Sequence, residues 1–259
     1  FYGELAEALR TAGEERGYVP LLASIAEDTD REVSAIERFL ELRVCGLILV
    51  SPLLDMATLG GYGEVSPTVV LTRNRAPASV DLVHSDDRAN GRLVTEHLRA
   101  RGYDPIVYLG YERPAEGDSS RERRLGYADA QEAAGQPARV FTAVRRGAVP
   151  EPVEGLEQLL APGVGIICHN DRVAIAMASR LESLGLRPGA DVGLAGFDNT
   201  ALTHTLGISL TSVDPDVAAM AHAAVDLIDQ RTAGRVEAAE VVVPSRLVER
   251  DSTRANVRT

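Results

Sequence analysis

The chain has 259 residues, 38 of them acidic and 27 basic, with a formal charge of -11, and every basic residue is arginine. Such an acidic chain is repelled by phosphate backbones, which argues against unaided nucleic-acid binding, and its length suits two modest cores. No stretch nears the roughly eighteen apolar residues of a membrane span, and the opening FYGELAEALR has neither the basic nor the apolar region of a signal peptide.

Leu5, Leu9 and Ala12 share one helical face, and Gly17 stops that helix before a strand-like run at Tyr18–Ile25. A helix over Glu32–Leu42 precedes a strand over Val44–Val50, and Pro67–Leu71 and Val80–His84 are further short apolar runs. The helix predicted over Arg88–Arg101 turns Leu93, Val94, His97 and Leu98 inward and ends at Gly102, ahead of a strand at Ile106–Leu109. Then come helix Arg121–Ala134, strand Arg139–Val144, helix Val153–Leu160, strand Gly165–Cys168, helix Arg172–Leu184 and strand Val192–Ala195. A last helix, Val217–Gln230, carries Val217, Met220, Ala221, Ala224, Val225 and Ile228 on one side, and strands at Glu240–Val243 and Arg246–Glu249 follow.

Regular βα alternation predicts an α/β protein with parallel sheets covered by helices on both faces. Gly102 and Asp214-Pro215 are the crossover points this pattern suggests. They give one subdomain of residues 1–101 with 216–243 and another of 102–214 with 244–259. Both cysteines, Cys45 and Cys168, sit in apolar runs, so the sequence predicts buried free thiols in a reducing, cytoplasmic setting.

Two apolar runs, VGIICHND and VGLAGFDN, end on Asn or Asp where a helix can begin, which is where doubly wound folds bind ligands. Asn170 offers an amide that donates and accepts, while Asp171 reads as the cap of the next helix. Asp198 is either an acceptor for two sugar hydroxyls or an amine, or another cap. Ser119 and Arg123 stand one turn apart at a helix start, and a buried Arg123 fork would clamp a carboxylate, a phosphate or a ring oxygen; Arg121 and Arg124 read as solvated. Asp86-Asp87 fits a helix N-terminus better than a metal. The five histidines lack metal-ligand spacing, no nucleotide-phosphate loop is present, and no GxSxG elbow suggests catalysis. Neither an enzyme nor a cofactor is expected. A sugar-modifying hydrolase would share the α/β frame but lacks a nucleophile–base pairing here.

In order along the chain, FYGELAEALR…RGY, VCGLILV, VVLTRN, VHSDDRANGRLVTEHLRARGY, SSRERRLGYADA, IICHNDRVAIA, GLRPGADVGLAGFDN, LTSVDPD and VPSRLVERDST resemble the effector-binding core of the LacI/GalR family of bacterial transcription regulators. The resemblance implies a type I periplasmic-binding-protein-like fold of two Rossmann-like subdomains, with a small-molecule effector, a sugar or sugar derivative, in the cleft between them. It implies effector contacts from Ser119, Arg123, Asn170 and Asp198, and Phe1 and Tyr2 match the segment that packs over the bound ligand. Asp214 stands where the family often has Gln before Pro. The family's helix-turn-helix, hinge helix and first core strand have no counterpart here, so the chain is expected to be a fragment of a longer repressor. That repressor would be a homodimer, reaching operator DNA only through the missing segment and not associated with membrane. A periplasmic sugar-binding protein of a transporter is the alternative. Pentoses, hexoses, disaccharides and purines all suit these residues, with specificity expected from the loop Arg145–Pro150.

Overall fold

Apolar strands buried on both faces need helices on both sides, and the chain meets that need twice over. A computed structural model describes residues 1–25, 28–111, 119–143, 153, 155–205, 207 and 209–254. In chain order the elements begin α1 (Tyr2–Glu15), α2 (Thr29–Glu41), β1 (Leu47–Val50), α3 (Met56–Val65), β2 (Thr68–Leu71), β3 (Asp81–His84), α4 (Asp87–Ala100), β4 (Ile106–Tyr111) and α5 (Ser119–Ala133). They continue with β5 (Val140–Ala143), β6 (Gly165–Cys168), α6 (Asp171–Ser183), β7 (Gly193–Phe197), β8 (Thr211–Asp214), α7 (Val217–Thr232), β9 (Glu240–Val242) and β10 (Arg246–Val248). The chain divides into two compact units, Phe1–Ser85 with Asp216–Pro244 and Asp86–Pro215 with Ser245–Thr259.

The sheet of the first unit runs β1-β2-β3-β9, all parallel, with Leu47 opposite Thr68 and Val83 opposite Val241. Alternate residues of its strands point to opposite faces. Val69, Leu71 and Val83 meet Leu5 of α1 and Met220, Ala224 and Ile228 of α7; Leu47, Val70 and Leu82 meet Ile36 of α2 and Leu59 of α3.

In the second unit the order is β10-β8-β7-β6-β4-β5, parallel except for β10, which runs antiparallel to β8. Ile166, Cys168 and Leu194 face Val173, Met177 and Leu181 of α6. Ile106, Tyr108, Ile167 and Phe197 face Val94 and Leu98 of α4 and Tyr127 of α5.

Several expectations need correction. Helix α4 belongs to the second unit, so the crossover falls at Ser85–Asp86 rather than at Gly102. The cause is its crossing with α5: a Cβ on Gly91 would lie 2.0 Å from the Arg123 carbonyl oxygen, and one on Gly126 1.9 Å from that of Arg88. Only glycine allows backbones this close. Leu93, placed inward from the sequence, is exposed, whereas Val94, His97 and Leu98 are buried. Residues 18–25 form no strand in their described part, and Val19, Leu21 and Leu22 face solvent. Of the helix expected at Val153–Leu160, the described residues form a 3-10 turn, Glu157–Leu159. Helix α3 and strand β8 were not expected. Cys168 is buried as expected, but Cys45 is exposed.

Candidate functional site

The carboxyl ends of β6 and β7 and the first turns of α4, α5 and α6 bring the site's residues together within the second unit. Helix α6 is capped by Asn170, whose Oδ1 accepts the Val173 N–H at 3.0 Å. The sequence reading gave that role to Asp171. Asp171 instead turns inward, where its Oδ2 accepts from Thr200 N at 2.8 Å and Thr200 Oγ1 at 3.2 Å, and its Oδ1 from Ser212 Oγ at 2.6 Å. Gly196 makes room for it, since a Cβ there would come within 2.5 Å of Asp171 Oδ1. Burial, with Asp198 adding repulsion, pushes the Asp171 carboxyl up to about 7.

After β7 the chain bends through two non-glycine residues with positive φ, Asp198 at 97° and Asn199 at 43°. Such backbone is costly unless its surroundings fix it, and it concentrates at functional sites. Here Asp198 N donates to Val213 O at 2.9 Å, and Asn199 N donates to Ser212 Oγ at 2.9 Å. The turn thereby presents the Asp198 carboxylate to Arg123.

Arg123 lies in the second turn of α5. Its Nε donates to Asp87 Oδ1 at 2.8 Å, and its Nη1 donates to His169 O at 3.0 Å and to Asp198 Oδ1 at 3.4 Å. The guanidinium sits 4.6 Å from the centre of the Phe197 ring, within cation–π range. Among the described residues nothing accepts from its Nη2. Burial pulls the guanidinium's pKa down, but the Asp87 and Asp198 carboxylates more than reverse this and keep it charged. Asp198 is pushed above the ordinary carboxylate range by burial, with Arg123 opposing. Beneath the cluster the buried Tyr108 hydroxyl has no hydrogen-bond partner among the described residues, and burial raises its pKa.

Asp87 is the residue the sequence reading missed. Its neighbour Asp86 does the capping, accepting from Ala89 N at 2.9 Å, while Asp87 is buried against Arg123. Ser119 opens α5, one turn before Arg123, and is half-buried. Asp214, at the end of β8, accepts from Arg246 Nη2 at 2.8 Å across the antiparallel pair. Phe1 and Tyr2 lie in the first unit: Phe1 packs against its core and makes an edge contact of 5.3 Å with the Tyr2 ring. Tyr2 is exposed, and its hydroxyl donates to Ser51 Oγ at 3.3 Å. Ser51 and Thr72 follow the carboxyl ends of β1 and β2, with φ of 49° and 62° and their hydroxyls 2.5 Å apart. No sequence signal singled out that pair. The loop Arg145–Pro150 lies outside the described residues.

Among the described residues no group of three His, Cys, Asp or Glu side chains is placed to hold a metal, and no helix is long and apolar enough to cross a membrane.

The sequence pattern of the periplasmic binding protein-like domain family matches residues 95–253. The HTH-type transcriptional regulator DegA of Bacillus subtilis is 26% identical over 98% of this chain and 77% of its own length. A LacI transcriptional regulator from a Rhodococcus species superposes with a TM-score of 0.87 at 28% identity, covering 98% of this chain and 94% of its own. A periplasmic binding protein/LacI transcriptional regulator from Alkaliphilus metalliredigens, complexed with D-xylulofuranose, also gives a TM-score of 0.87, at 21% identity over 97% of this chain and 94% of its own.

Proposed function

The chain belongs to the periplasmic binding protein-like domain family, as the effector-binding core of a LacI/GalR-type transcriptional regulator, and we propose that it senses a sugar or sugar derivative through Arg123, Asp198 and Asn170. The carrying observation is the state of Arg123. It is held on one edge by Asp87, on another by His169 and Asp198, and by Phe197 on its face, which among the described residues leaves the Nη2 edge for a guest. A sugar hydroxyl accepts from such an edge while donating to a neighbouring carboxylate, and the Asp198 carboxylate is that neighbour. The Asn170 amide nitrogen adds a donor, since its oxygen is committed to the helix cap. Ser119 is one turn away on α5. Phe1, Tyr2 and Asp214 are assigned to the ligand by resemblance to the family.

Binding stabilises one conformation of the core over others, and that difference in affinity is the signal passed to a DNA-binding segment. The core works as a homodimer in the cytoplasm, where neither free thiol is oxidised, and carries out no catalysis. The regulator relatives favour this reading over a transporter's binding protein.

A thermal-shift screen against a panel of pentoses, hexoses and disaccharides, D-xylulose included, tests the reading. A true effector at about one hundred times its Kd stabilises the native state by about 2.7 kcal/mol, which is readily measured. A panel with no concentration-dependent shift would count against it. Gel filtration as a monomer would favour transport instead.

A further inference from the structure

The charged cluster of the second unit has a sign, and the sign restricts what can enter. One guanidinium, Arg123, serves two carboxylates directly, Asp87 at 2.8 Å and Asp198 at 3.4 Å. A third carboxyl, Asp171, lies close enough to Asp198 for charge on the two to repel, and its hydrogen bonds come from hydroxyls and an amide, with Arg250 acting on it electrostatically. Arg250 is near enough for Asp171 to favour its charge, but it directs its hydrogen bonds to Asn199 Oδ1 and to Leu210 O, both at 2.7 Å.

We propose that this site selects uncharged, hydroxyl-rich guests and rejects phosphorylated or carboxylated ones, with Asp87 as the positioning residue that sets the choice. The inference rests on the reading that the guest binds at Arg123. A phosphate is gripped by an arginine whose fork is free to meet it with two charge-assisted bonds. Here Nε is committed to Asp87 and Nη1 to His169 and Asp198, so an anion approaching Nη2 meets a guanidinium already neutralised twice over. A hydroxyl avoids the conflict, because it accepts from Nη2 and donates to a carboxylate at once. An ammonium would satisfy the carboxylates but leave the Nη2 hydrogens without an acceptor.

Asp87 is built in rather than incidental. It is 2% exposed on the first turn of α4, and the glycine crossing of α4 with α5 brings it under Arg123. It touches Arg123 and acts through it.

Calorimetric titration of the intact chain with inorganic phosphate reads the charge selection without knowing the effector. The wild type is expected to show no saturable phosphate binding, and Asp198→Asn or Asp87→Asn should bind phosphate at least about tenfold more tightly, because each releases part of the guanidinium's charge. Thermal unfolding identifies any variant that fails to fold, in which case the other one decides. Matched pairs, ribose with ribose 5-phosphate and glucose with glucose 6-phosphate, supply the second arm, and any pair that binds should do so through its neutral member. Saturable phosphate binding by the wild type that Arg123→Ala abolishes, no gain in either folded asparagine variant, or tighter binding of a phosphorylated member would each overturn the proposal. If no sugar of either kind binds, the sugar-sensing reading fails while the phosphate titration still decides the charge selection.

Discussion

Asp81 in the first unit and Asp198 in the second are both aspartates set against arginine, yet they sit at opposite ends of their strands and are satisfied to different degrees. Asp81 heads β3 and is fully buried, accepting from Arg231 Nε and Nη2, both at 3.1 Å, from Arg235 Nη1 at 3.0 Å and Nη2 at 2.6 Å, and from Ala239 N at 2.7 Å. Two cations surround one anion, and the result ties the end of α7 to the segment entering β9. Asp198 follows the carboxyl end of β7 on strained backbone and shares a single arginine with Asp87. Parallel sheets bind ligands at their carboxyl ends. The comparison separates a structural clamp, whose carboxylate is met by two cations and a backbone N–H, from a site where two carboxylates share one cation.

The largest expected effect breaks the clamp. Asp81→Asn leaves two partly buried guanidinium groups facing a neutral amide and should cost about 3–5 kcal/mol in urea unfolding. Ligand affinity of the folded fraction should be unchanged, since Asp81 heads β3 and lies at the end opposite to the carboxyl ends where parallel sheets bind ligands.

The two regions should also respond to pH in opposite directions. Burial disfavours the ionised form of Asp81, but Arg235, Arg231 and the Ala239 N–H outweigh it and hold its pKa below the ordinary value. Its stabilisation is therefore present at neutral pH and is lost as pH falls through the carboxylate range. Asp171 is raised to about 7, so the folded state holds its proton more tightly than the unfolded chain does. Its stabilisation is complete below the ordinary carboxylate pKa of about 4 and is lost as pH rises to about 7, by at most about 4 kcal/mol. Asp171→Asn should flatten the decline in stability between those limits, as measured by urea unfolding at a series of pH values. An unchanged slope would show that Asp171 is ionised in the fold throughout.

Smaller effects sharpen the contrast. Asn170→Ala removes the cap of α6 and should cost about 1 kcal/mol. Asp198→Asn should leave stability at neutral pH unchanged or raise it by up to about 1 kcal/mol, the outcome expected if Asp198 is the binding residue proposed and is kept at some expense to the fold. The same change at Asp81 is strongly destabilising. Arg246→Ala, which removes a mostly exposed partner of Asp214, should fall within about 0.5 kcal/mol.

Much of the frame was readable in the order of residues. GIIC and GLAGF are wholly buried strands because each is a short apolar run ended by polar residues, which is what a parallel sheet covered on both faces requires. Helix α7 buries Met220, Ala221, Ala224, Val225 and Ile228 at the helical spacing that identified it. Helix α3 was hidden by Gly60, Gly61 and Gly63, which depress helix propensity; Gly63 is there because a Cβ would lie 2.6 Å from the Ser79 carbonyl oxygen. The exposed run at Val19, Leu21 and Leu22 reads as a strand because an apolar pattern does not itself supply a pairing partner. Within the site, Arg123, Asn170 and Asp198 stood out because each lies where a helix begins or a strand ends. Asp87 did not, because its contact with Arg123 depends on two helices crossing through Gly91 and Gly126, a long-range event with no local signature. The positive φ values at Asp198 and Asn199 are likewise set by bonds to β8 and leave no mark on the sequence.

Calorimetry on the strongest sugar ligand, titrated into the wild type, Arg123→Ala and Asp198→Ala, tests most directly whether the strand ends of the second unit grip the guest. The account predicts that either substitution weakens binding at least about tenfold in a protein that still unfolds cooperatively. A ligand whose affinity survives both substitutions would contradict it and place the binding site elsewhere.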